Sequence, residues 1–282
     1  MMGLIKSDYK RFFHDKLFLV VCILALVFAV ITPLLYVVIF SGMGEIDPMT
    51  EQLLAGYVTA KGQFFGAFSF GNNLGLIAPL LIGIILFKDF SFGTVRNKII
   101  SGHSRASIFL SIFTVCVTAL FGIVLLHALL SLGISLPFFD YQPTPFKMAD
   151  FWYLLESLLF ELLVYIFVAA LMSWLCVNMK NVGMVIVMYI AIVFGFTMIA
   201  GILQVVIAVL SADLISADAS TKNTLDVLNF FQRINVFNSS ATIGMGTKYT
   251  AKDVWYYVLP PVLGTAALLS HGLFSFKKKD LK

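Results

Sequence analysis

Six long apolar stretches constrain this chain more than any other feature: about residues 17–40, 71–87, 108–133, 153–177, 182–210 and 254–274. Hydrocarbon offers no water to backbone amides, so a stretch that crosses it must pair them internally. A helix of roughly 20 residues does this across a core of about 30 Å. The expected fold is an all-α integral membrane protein with six transmembrane helices forming one transmembrane domain over residues 1–282. Composition agrees, because 60% hydrophobic and 12% charged residues leave too little charge to cover a water-facing surface of 282 residues. Pro79 in the short second stretch predicts a kink, and the fifth stretch is long enough to tilt. Cys22, Cys116 and Cys176 all lie in apolar stretches, with no CxxC and no His cluster beside them. Neither a disulfide framework nor a zinc site is expected. The net charge of +4 is too small to suggest nucleic acid.

The charges between the stretches alternate. Alternate connections, counted from the N-terminus, carry thirteen Lys and Arg against four Asp, while the others carry six cations against nine acids. Cytoplasmic loops retain the cations, so both termini are expected inside. A cleaved signal peptide is not expected, since the first apolar run is too long and no clear cleavage site follows it. Within residues 1–16, Leu4, Ile5, Tyr9, Phe12 and Phe13 recur at helical spacing among charges. That pattern fits a helix lying in the inner interface, or alternatively an extension of the first span. On the outer side, residues 134–152 hold Pro137, Pro143 and Pro145 and read as a constrained loop. Residues 223–237 place Leu225, Leu228, Phe231, Ile234 and Phe237 on one helical side, predicting an amphipathic outer helix between spans five and six.

The connection from Lys88 to Ser107 carries four cations and one acid, with a short amphipathic segment ending at Ser101-Gly102. Phe90, Phe92, Val95, Ile99 and Ile100 offer apolar anchors, and Arg96, Lys98 and Arg105 can meet acidic rims. Such a loop can dock a partner protein, or it can rest its cations on anionic lipid heads. Its order of Asp89, Phe90 or Phe92, Gly93, Thr94, Arg96, Ser101-Gly102 and Ser104-Arg105 resembles the signature of type-2 ATP-binding-cassette exporter permeases. The motif covers about eighteen residues, while the layout of six spans, interfacial helix and outer helical segment covers the chain. The resemblance implies a short cytoplasmic coupling helix between spans two and three that contacts an ATPase subunit. Asp89, Phe90, Phe92, Gly93, Thr94, Arg96, Lys98, Ser104 and Arg105 are its expected coupling residues. It also implies a second permease protomer, identical or homologous, and a dimer of ATPase subunits that bind ATP and Mg. No cofactor is expected in this chain, because no Gly is followed by Lys and a GxxxxGK[ST] phosphate loop is therefore excluded.

Polar residues inside the stretches are the candidates for a substrate path. Glu161 is the one carboxylate well inside a span, at a cost of about 2.5 kcal/mol or more on insertion scales. His127 sits at a comparable expected depth on the preceding span. A His127–Glu161 hydrogen bond would be either part of a polar path or a structural pair holding two helices. Asn72, Asn73 and Gln204 could line an exit vestibule or serve helix packing. Phe64, Phe65, Phe68 and Phe70 read as an interfacial belt or an apolar exit surface.

These features favour the membrane subunit of an ATP-driven exporter in a bacterial plasma membrane over an enzyme. Walls rich in Phe, Leu and Ile suit amphipathic or hydrophobic cargo such as an antimicrobial peptide, an antibiotic or a lipid. An intramembrane metalloprotease would need more ligands than His127 and Glu161. A stand-alone secondary transporter would be expected to show an inverted repeat and midplane charges.

Overall fold

The computed structural model describes residues 2–42, 58–140, 145–212, 219–244 and 253–279. Several residues counted in the charge alternation, Asp280 and Lys282 among them, lie outside the described residues, as does Pro143. Eleven α-helices and no strands occur among the described residues. They are α1 (Met2–Phe13), α2 (Lys16–Gly42), α3 (Ala60–Phe68), α4 (Asn73–Ser91), α5 (Thr94–Ile100) and α6 (Arg105–Ser135). The chain continues as α7 (Met148–Asn178), α8 (Val182–Ala212), α9 (Ala219–Ile234), α10 (Val236–Gly244) and α11 (Val254–Lys278).

Six of these helices, α2, α4, α6, α7, α8 and α11, are long and apolar enough to cross a membrane. Each coincides with one of the six apolar stretches, which makes this a multi-pass membrane architecture. They divide into two groups. In α4 and α6 56% of the most apolar window is buried and in α7 61%, against 22% in α2 and α8 and 11% in α11. The first three therefore form the packed centre, and the others present Leu, Ile, Val and Phe side chains outward, as helices solvated by lipid do.

Helix α1 is separate from α2 rather than an extension of it. The chain breaks at His14 and Asp15, where the Asp15 carboxylate accepts the Leu17 amide at 2.9 Å and begins the next helix. Leu4, Asp8 and Phe12, one helical turn apart, are the buried side of α1, which packs on α6.

Two short helices at the opposite end from α1 were not legible in the sequence. Helix α3 starts at Thr59, whose hydroxyl accepts the Gly62 amide at 3.0 Å, and it packs along α6. Its Phe64, Phe65 and Phe68, with Phe70 just beyond, are at most 4% exposed. The four rings are core, packing with Tyr153, Phe121, Tyr165 and Phe237, and form neither a lipid-facing belt nor an open exit surface. Helix α10 follows α9 after a break at Asn235 and is buried among α3, α7, α8 and α11. In α9, Leu225 is buried while Phe231 stays half exposed, so the expected apolar side is covered only in part.

Gly75 marks the tight turn from Phe70 into α4. A Cβ there would lie 2.7 Å from the Phe70 backbone carbons, atoms that no rotamer change can move away. Gly75→Ala is expected to destabilise the protein by about 1–3 kcal/mol. Gly66, where a Cβ meets nothing within 4 Å, should accept Ala without loss. Thermal melting of the two variants in detergent would check the contrast.

Candidate functional site

The polar connection between the second and third spanning helices forms a compact protrusion. Lys88 to Ser91 complete α4, and Gly93, with φ of 70°, turns the chain into α5. A residue with a Cβ would be strained there. At the far end Gly102 has φ of 84°; the His103 amide reaches the Lys98 carbonyl at 3.1 Å and the Gly102 amide reaches Ile99 at 3.0 Å. This paired closure is the Schellman motif. Ser104 then caps α6 by accepting the Ser107 amide at 3.2 Å. Seven residues of helix are thus bounded by glycine turns and tied to the next span by a serine cap.

The underside of α5 is held by buried charge. Lys98 reaches the Asp8 carboxylate at 2.6 Å and Asp89 at 3.6 Å, and its side chain is 9% exposed. Arg11 bonds Asp89 and approaches Asp8 at 3.5 Å, while the Ser111 hydroxyl donates to Asp8 at 2.6 Å. Two acids from α1 and α4 are therefore balanced by two cations from α1 and α5, with Ser111 of α6 completing the coordination. Removing one partner from such a set leaves an uncompensated buried charge. Beside it, Lys88 clasps Asp15 through both carboxylate oxygens, at 2.8 and 2.7 Å. Partial burial pushes the Asp15 carboxyl up, but Lys88 and the Leu17 amide outweigh that and hold it below the ordinary carboxylate range.

Arg105 turns the other way. Its guanidinium donates to the carbonyls of Phe276, Lys277 and Lys279 at 2.9, 3.1 and 2.6 Å, closing the C-terminal end of α11. Lys279 in turn donates to the Val177 carbonyl at the end of α7 and lies over the Phe90 ring. Phe90 packs on Phe87 and Phe276, and Val95 is buried. The expected coupling residues thus separate into two sets. Asp89, Phe90, Lys98 and Arg105 build the protrusion from beneath. Phe92 (76% exposed), Arg96, Ile100 (73% exposed) and Ser104 face outward, with Gly93 and Thr94 partly exposed between them.

The candidate path residues do not converge. His127 donates from Nδ1 to the Ala25 carbonyl at 2.9 Å, joining α6 to α2 beside the small Ala25 and Ala29. Glu161 receives the Ser240 hydroxyl at 2.7 Å, joining α7 to α10, so the two residues have different partners. Gln204 is exposed on α8. The Asn72 amide donates to the Gly66 carbonyl at 2.8 Å and closes the end of α3, while the Asn73 side chain lies outside the described residues.

Sequence reasoning missed Ser240 and Ser69. The Ser240 hydroxyl accepts the Phe70 amide at 2.8 Å and donates to Glu161, and the Ser69 hydroxyl donates to the Ser240 carbonyl at 3.1 Å. This node satisfies the backbone where the chain leaves α3, inside the protein. The only sequence signal was the small polar run 238–242, set between Phe237 and Ile243. Among the described residues no three His, Cys, Asp or Glu side chains are grouped as a metal site requires. No protein-family model, curated protein or solved structure matches the chain.

Lys98→Met leaves Asp8 and Asp89 to share Arg11, one buried negative charge uncompensated, and is expected to cost about 3–5 kcal/mol. Adding Asp8→Asn should return part of that, readable as a recovery in melting temperature. Ser240→Ala leaves the Phe70 amide and Glu161 without that partner, at about 1–3 kcal/mol. Asp15 sets an acid limit. A carboxyl held low in the folded state contributes stability above its unfolded value and loses it as pH falls through the folded one. The stability gap between wild type and Lys88→Met should therefore be open at neutral pH and close under acid, as a pH series of melting curves would record.

Proposed function

We propose that the chain is the membrane-spanning permease subunit of an ATP-driven exporter, and that α5 is the contact for a separate ATPase subunit. The observation that carries this reading is the division of α5 into an anchored side and a bare side. Val95 and Lys98 are buried, and Lys98 is held by charges from α1 and α4. Arg96 and Ile100, four residues apart, are exposed on the other side of α5, and Phe92 is exposed in the turn before it. A short rigid helix with a protein-like patch suits force transfer to a neighbouring subunit better than contact with lipid heads, which needs no such fixed orientation.

On this reading α1, α5 and the C-terminal end of α11 lie at the cytoplasmic face, as the excess of cations there favours. α3, α9 and α10 then cap the outer side. ATP and Mg belong to the motor subunits, and a second permease protomer, identical or homologous, completes the assembly in a bacterial plasma membrane. The cargo is amphipathic or hydrophobic, for instance a peptide, an antibiotic or a lipid, because the spanning helices carry few fixed charges.

Phe92→Ala with Arg96→Glu is expected to abolish co-purification of the partner ATPase subunit and to uncouple its ATP hydrolysis from transport. The melting temperature should stay near wild type, since both side chains are exposed. Retained association and coupling in this double variant would overturn the proposal.

A further inference from the structure

At the end of the molecule away from α5, a cleft of about 250 Å³ opens between α2, α3, α6 and α10. Its lining holds the hydrogen-bonding side chains of Thr32, Tyr36, Gln63, Ser69, Asn72 and Ser131 and not one charged residue. The remaining wall is glycine and alanine, so backbone is within reach of an occupant. Ser131 is 2% exposed, and its hydroxyl has no hydrogen-bond partner. A buried hydroxyl left unpaired carries a free-energy penalty that an incoming donor or acceptor removes. Gly66 adds a second sign of accommodation, since a Cβ there would enter open space.

We propose that this cleft binds the uncharged, hydrogen-bonding head of an amphipathic molecule that enters from the lipid. Ser131 lies one turn from the end of α6, and Gly71 and Asn72 lie just before α4, which sets the cleft near the ends of the spanning helices. That is the level at which an amphiphile's head meets its tail. Ile31 and Leu35, next in sequence to the lining residues of α2, are 45% and 53% exposed and offer an apolar track for an acyl chain. The volume accommodates a small head such as glycerol. A charged head is disfavoured, because it would give up hydration without meeting a counter-ion in the lining. The proposal rests on the membrane reading of the fold and needs no ATPase.

The test uses the full chain in phosphatidylcholine nanodiscs with 1-oleoylglycerol carrying a photoreactive group near the head of its chain. Labelled peptides are then identified by mass spectrometry. Label is expected on peptides containing Thr32–Tyr36, Gln63–Asn72 or Ser131. Gly66→Leu, which fills the cleft, should lower it by at least about tenfold. Ser131→Ala should lower it by about fivefold, the effect of one hydrogen bond. If Gly66→Leu melts early, Gly66→Ala together with Ser131→Ala decides. Competition by unlabelled 1-oleoylglycerol, and none by the phosphate ester with the same chain, supports the proposal. Equal competition by both, labelling elsewhere, or labelling indifferent to these substitutions overturns it. Because no ATPase is present, any of those results leaves the docking of α5 to be judged separately.

Discussion

Backbone amides without water govern this molecule, and the consequence is clearest where helices stop. Inside a spanning helix every N–H finds a carbonyl four residues back, but a break frees several groups at once. Each break described here carries its own polar solution. Asp15 caps α2, Ser69, Asn72 and Ser240 serve the passage from α3 to α4, and Asn235 receives the Phe237 amide at 3.1 Å between α9 and α10. Glycines with positive φ close the two ends of α5, and Ser104 caps α6. Among the described residues Ser69, Asn235 and Ser240 are buried polar side chains set where the chain turns beside them.

The two ends solve this problem with different chemistry. At the α5 end the connections are ionic, joining Asp8, Arg11, Asp89 and Lys98, and a guanidinium bonds three carbonyls of α11 and its cap. At the other end they are mostly neutral, built from serine hydroxyls, asparagine amides and the Glu161–Ser240 bond. Ionic ties resist separation because each partner strands the other. Neutral ties cost less to exchange, about 1 kcal/mol net apiece. On the proposed reading, force received at one face and lipid-soluble cargo admitted near the other would draw on this asymmetry, a stiff socket and an adaptable mouth.

Much of the architecture was legible in the sequence, because the period of apolar residues and the length of each run report directly on helices in hydrocarbon. What escaped were α3 and α10. Their residues are too few to make a span, and their buried faces are set by α6 and α7 rather than by their own periodicity. The Phe64–Phe70 cluster looked interfacial since aromatic rings at the edge of an apolar run usually are; here α3 folds them inward instead. His127 and Glu161 are both buried, but the bond between them that their similar depth suggested does not form. Their partners are a carbonyl on α2 and a serine on α10, neither near them in sequence.

The same reasoning sharpens the reading of the connection between spans two and three. In sequence its cations looked equivalent, all available to a partner. In the fold Lys98 and Arg105 are consumed by the protein itself, which leaves Arg96 as the cation of α5 that faces outward. On the proposed reading, exposed Arg96 and Ile100 on α5, with Phe92 in the turn before it, offer a partner little area, and their worth lies in being held still. Freezing a helix of seven residues costs conformational entropy that docking would otherwise have to overcome. The glycine turns, the serine cap and the buried charges meet that cost in advance. Substitutions beneath α5 should therefore weaken a partner's grip even though they touch nothing on its surface.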